Sequence, residues 1–110
     1  MSLEQHTDSA KPKLDAARAQ IRSELRHTPR EDAISSTELA NRTGIKATTV
    51  RDIVSELKDE LPIRATSKGY YVITTPDDLE RELKSIDEEI ATKRETKQRI
   101  TKAFNQLYYG

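Results

Sequence analysis

Ala47, Thr48, Arg51, Asp52 and Ser55 recur at helical spacing between apolar residues that claim the opposite side of the same segment. Turned outward together, they offer hydrogen-bond chemistry and no covalent chemistry. A guanidinium such as Arg51 can donate two parallel bonds to a guanine edge, the Thr48 and Ser55 hydroxyls can bond a base or a phosphate, and Ala47 can touch a thymine methyl. Asp52 fits such a surface only if it accepts from a cytosine amino group or neutralises a neighbouring base. Lys46, Thr49, Arg64 and Lys68 suit phosphate, a contact that positions but reads no sequence. The amides at the start of the preceding helix, near Ser36 and Thr37, can hold a phosphate as well.

Other chemistries lack their parts. Only His6 and His27 are present, so neither a metal cluster nor a Ser-His-Asp set is expected. The stretch "TSKGY" lacks the rest of a phosphate-binding loop. Asp77, Asp78 and Glu80 stand at a helix start, where acids complement the dipole. Tyr70, Tyr71, Tyr108 and Tyr109 read as packing or interface residues. The expectation is no enzyme, no cofactor, no metal and no small-molecule ligand.

The elements that must position the five residues follow from periodicity. Residues 1 to 10 are polar and aperiodic, a disordered tail. From Pro12, Leu14, Ala17, Ile21 and Leu25 mark the buried stripe of a first helix, which stops before Pro29. After an extended link at Ala33 and Ile34, "SSTE" suggests a capping box of Ser35 and Glu38, opening a short second helix that ends at Gly44. A third helix is expected from about Ala47 to Glu60, with Val50, Ile53, Val54 and Leu57 inward. Two β-rich runs around Ser67, Lys68 and Gly69 then predict a hairpin. Thr75, Pro76 and Asp78 open a final helix of about 32 residues, roughly 48 Å long.

Leu39, Ala40, Gly44, Ile45, Val50 and Ile53 are the small and apolar positions that let two helices meet steeply at a glycine turn. Together with "SKGYYVI", the stretch "ISSTELANRTGIKATTVRDIVSEL" resembles the winged helix-turn-helix family. The likeness is to the short-winged domain of biotin operon repressors and small regulators of bacterial and archaeal viruses, and it covers about 40 of the 110 residues. Thr43 departs from that pattern, where an aliphatic residue often stands. The resemblance implies that the third helix enters the major groove of double-stranded DNA and that the hairpin wing touches the flanking backbone.

Along the final helix Leu79, Leu83, Ile86, Ile90, Lys93, Lys97, Ile100, Phe104 and Leu107 alternate at steps of four and three, the seam of a coiled coil. In a parallel pair each lysine would face its own copy. In an antiparallel pair Leu79 meets Phe104, Leu83 meets Ile100, Ile86 meets Lys97 and Ile90 meets Lys93, and acidic "PDDLERELKSIDEE" lies along basic "KRETKQRITK". An antiparallel homodimer is the better expectation.

Composition bounds the rest. Apolar content of 34% against 35% charged residues leaves a thin core, for which oligomerisation is a common remedy. Nineteen basic and nineteen acidic side chains cancel, so any hold on a polyanion must come from local placement. With no cysteine and no long apolar run, a cytoplasmic protein off the membrane is expected. The expected architecture is mostly α with a small β-hairpin wing: tail 1–10, winged helix-turn-helix DNA-binding domain 11–75, and coiled-coil helix 76–110. The expected function is a sequence-specific, double-stranded DNA-binding transcription regulator, a repressor-like homodimer on an operator. The alternative is a non-enzymatic architectural, replication-accessory or protein-docking module of the same fold.

Overall fold

The computed structural model describes residues 3–110, with side chains from Lys11 onward. Met1 and Ser2 and the side chains of residues 3–10 lie outside the described residues, and most of the expected tail falls there. Its backbone from Leu3 is already helical, so the first helix begins before Pro12. The element order is α1 (Leu3–Arg26), a short 3-10 turn (Arg30–Asp32), α2 (Ser36–Thr43), α3 (Ala47–Leu57), β1 (Ile63–Thr66), β2 (Gly69–Val72) and α4 (Pro76–Tyr108). The chain is mostly helical and divides into two compact units, Met1–Thr74 and Thr75–Gly110.

In the first unit, the apolar phases of three helices converge with the hairpin on one core. Ile21 and Leu25 of α1, Leu39 of α2 and Val50, Val54 and Leu57 of α3 are almost completely buried. Ile34 and Val72 complete the cluster from the extended segments, and Ala40, Ile45, Leu61, Ile63 and Tyr70 pack on its rim. Leu14, expected in the α1 stripe, is instead 42% exposed. It stands one turn beyond Ala17, where the buried part of α1 begins.

Local signals explain the helix ends. Ser35 Oγ accepts from the Glu38 N–H at 3.1 Å, while the Glu38 carboxylate bonds Arg42 instead of reaching back to complete a capping box. Gly44 takes φ 76° at the end of α2 and donates its N–H to Ala40 O at 2.8 Å, the left-handed stop that glycine supplies without a Cβ clash. Thr43 directs its hydroxyl to Leu39 O at 2.7 Å and is half-buried. A polar group at a position suited to an aliphatic one is thereby satisfied. α3 ends at Leu57, earlier than the expected Glu60, because 58–60 continue as turns whose amides bond Val54 O, Glu56 O and Leu57 O.

The strands pair antiparallel with Ile63 opposite Val72, Arg64 opposite Tyr71 and Thr66 opposite Gly69, leaving Ser67 and Lys68 as the turn. Ile34 adds an isolated bridge to this hairpin: its N–H donates to Tyr70 O at 2.9 Å, and the Tyr70 N–H returns to Ile34 O at 2.8 Å. Thr28 O accepts from Val72 N at 2.8 Å. The hairpin is therefore fastened to the α1–α2 connection.

The second unit is α4 itself, 33 residues and about 50 Å long at 1.5 Å per residue. Thr75 Oγ1 caps it by accepting from the Asp78 N–H at 3.1 Å, and Pro76 follows at the first helical position. Within α4 only Glu82 is buried. Among the described residues, no helix is long and apolar enough to cross a membrane.

Candidate nucleic-acid interface

The outward side of α3 follows directly from burial of the inward one. Val50, Ile53, Val54 and Leu57 are fixed in the core, and the helical period leaves Thr48, Arg51, Asp52 and Ser55 exposed, with Ala47 and Thr49 half-buried. The five residues chosen for base contact thus share one face. Lys46, the N-cap residue, is exposed at the start of α3.

Arg51 reaches across the corner to α2, where its Nη1 donates to Ser36 Oγ at 3.3 Å. This bond gathers a base candidate and a phosphate candidate at one place, the first residue of α2. A guanidinium has five N–H donors in a planar fork, so one long bond steers the group and leaves the rest for a ligand. Thr37 is exposed beside it.

The hairpin side is set by a glycine. Gly69 has φ 138°, and a Cβ built there would lie 2.3 Å from both C and O of Ile34 and 2.6 Å from the Ser35 N. The sequence suggests Gly69 as a turn former; its sharper role is to let β2 lie against the backbone that caps α2. Lys68 is held at the exposed tip, with its N–H on Thr66 Oγ1 at 3.2 Å. Lys68 and Ser35 both line an open polar cavity of about 430 Å³. Arg64 is placed differently from Lys68. It is half-buried and opposite Tyr71 in the ladder, so it shares the face of a buried aromatic ring that also carries the Arg30 guanidinium 6.0 Å from its centroid.

Two charge arrangements were not legible from spacing. Arg18 and Arg22 of α1 pair with Glu56 in the last turn of α3 and Glu60 in the turn that follows it, neutralising acids that would oppose a polyanion. Arg42 bridges Glu24 of α1 at 3.0 Å and Glu38 of α2 at 3.1 Å. The hydrogen bond that Arg42 donates to Glu24, and then that to Glu38, push its pKa further up. That guanidinium joins α1 to α2. A run of arginines at i and i+4 on α1 was the available signal for the first arrangement, but their partners stand 38 residues away.

No protein-family model, curated protein or solved structure matches the chain. The site therefore rests on its own geometry. It presents hydroxyls, one guanidinium and one carboxylate on a helix whose inner side is buried, with lysines at its start and at the hairpin tip.

Proposed function

We propose that the first unit is a winged helix-turn-helix domain and that the chain is a sequence-specific, double-stranded DNA-binding transcription regulator acting as a homodimer on an operator. The observation that carries this reading is the outward face of α3. Its inner side is locked into the core, and Arg51 is steered by Ser36 at the beginning of the neighbouring helix. A helix so presented can lie in a major groove, which admits one. In this reading Arg51, Thr48, Asp52 and Ser55 meet base edges, with Ala47 against a methyl group. Lys46, Thr49, Ser36 and Thr37 hold one stretch of backbone, and Lys68 at the hairpin tip holds another, with Arg64 behind it.

Pairing of Arg18 with Glu56 and Arg22 with Glu60 supports the same reading, because it removes repulsion from the end of α3 without adding net charge. Asp52 is the observation that favours the second reading, a protein-docking or replication-accessory module of the same fold. It is exposed on the face that would meet phosphates.

A mobility-shift titration separates the two. The chain should shift duplex DNA at low salt and lose affinity as salt rises and ions replace phosphate contacts. Arg51→Ala should cost about 1–3 kcal/mol on the preferred sequence and relax the choice at one position. Lys68→Ala should weaken all sequences alike and lower the salt slope by about 1. No shift of any duplex in dilute buffer would leave the docking reading.

A further inference from the structure

α4 carries an apolar stripe that the described residues leave mostly open, with Ile86 half-buried. Leu83 is 52%, Ile100 61% and Phe104 51% exposed, and Leu79 and Ile90 are little less so. Spacing of four and three winds such a stripe into a seam that a second helix can cover, and contiguous apolar patches of this kind mark interaction surfaces. We propose that its occupant is α4 of a second copy running antiparallel, with Leu83 facing Ile100, Ile86 facing Lys97 and Ile90 facing Lys93 about a dyad between Ala91 and Thr92. This deepens the homodimer reading above and is independent of whether the first unit reads DNA.

Charge selects both the occupant and the direction. Residues 76–90 hold seven acids and two bases, whereas residues 91–110 hold one acid and five bases. Laid head to tail, each acidic half runs beside a basic half, and Asp87 flanks Arg94 of the partner subunit twice over. Laid in parallel, like halves run together, and Lys93 and Lys97 each confront their own copy in adjacent layers of the seam. In the antiparallel arrangement each lysine instead lies across an isoleucine, where its methylenes cover apolar surface and its ammonium reaches water.

The end of the helix fits the same register. Phe104 meets Tyr108 in a tilted pair with 4.7 Å between ring centroids and Tyr109 edge-on at 6.1 Å, forming an aromatic cluster that is exposed in the single chain. Antiparallel pairing brings Phe104 onto Leu79 of the partner subunit, so this cluster covers the start of the other α4. The two first units are then joined to opposite ends of the coiled coil.

Because the chain has no cysteine, engineered ones report alone. Sedimentation of the unaltered protein should give a dimer at micromolar concentration. Leu83→Cys and Ile100→Cys proteins, mixed and oxidised, should form an 83–100 cross-link identified by peptide mapping, while neither variant alone cross-links efficiently. Ile86→Cys mixed with Lys97→Cys repeats the test in a layer where one substitution removes no apolar side chain. Efficient cross-linking of each variant to itself would overturn the antiparallel direction and leave the homodimer. A monomer in sedimentation would overturn both. A chain that forms the 83–100 cross-link yet shifts no DNA would sustain the pairing and remove the DNA reading.

Discussion

Gly69→Ala tests the claim that the hairpin is seated against the start of α2. The added methyl would stand 2.3 Å from C and O of Ile34. Carbon contacts are optimal at about 3.5–4.0 Å, so more than about 1 Å must be found. The obstacle is backbone, and it is pinned by the reciprocal Ile34–Tyr70 hydrogen bonds at 2.9 and 2.8 Å. Relief requires breaking those bonds or lifting β2. Gly44→Ala is the matched control, because φ is 76° there but nothing lies within 4 Å of the added carbon. Both substitutions incur backbone strain of about 1–2 kcal/mol or more, and overpacking adds about 1–3 kcal/mol at position 69 alone. A unit of this size holds about 4–11 kcal/mol in all, at roughly 0.05–0.15 per residue. The melting point of Gly69→Ala should therefore fall below that of Gly44→Ala by about 4–8 °C for each of those extra kcal/mol. Far-ultraviolet ellipticity mixes in the 33 residues of α4, so the better readout is hydrogen exchange at the Ile34 and Tyr70 amides. Those two should lose protection first. Equal stability of the two variants, with both amides still protected, would refute the reasoning.

Two further outcomes follow from the first unit. Leu39→Ala should cost about 2–5 kcal/mol in urea unfolding, because Leu39 is fully buried where α1, α2 and α3 meet; a cost below about 1 kcal/mol would mean the corner is loosely packed. Arg18→Ala with Arg22→Ala should change stability little, about 0–1 kcal/mol per exposed pair. The same double variant should weaken DNA binding at low salt by unmasking Glu56 and Glu60, a loss that disappears as salt rises; unchanged affinity in dilute buffer would separate these pairs from function.

Local rules carried the elements with strong punctuation. Gly44, Ser35 and the Thr75–Pro76 start lie where capping chemistry puts them, and the inner face of α3 is complete in its periodicity. What escaped was set by tertiary contact. Leu14 keeps the α1 phase, but the core does not extend to it, so period alone cannot say where a stripe stops being covered. Glu38 has the capping-box spacing, yet Arg42 one turn later offers an opposite charge, and the carboxylate goes there. The roles of Gly69, of Arg18 with Glu56 and of Arg51 with Ser36 all depend on segments distant in sequence brought within bonding reach. The face of the candidate site was legible; its internal wiring was not.

Asp52 is where the electrostatics of that face can be decided. Its carboxylate is exposed beside Arg51 on α3, and the chain as a whole has no net charge to offset it. A unit charge about 7 Å from a phosphate contributes about 0.6 kcal/mol of repulsion in water and about 2.4 kcal/mol at an effective dielectric of 20. Asp52→Asn should therefore tighten binding to arbitrary duplex by roughly threefold to fiftyfold at low salt, with the gain shrinking as salt screens it. If the carboxylate accepts from a cytosine amino group, the preferred sequence should lose part of that gain while random sequences keep it. The ratio between the two then measures how far Asp52 reads and how far it repels. Affinity unchanged on every duplex in dilute buffer would mean that this face of α3 does not approach DNA, and the assignment of Thr48, Arg51 and Ser55 would fall with it.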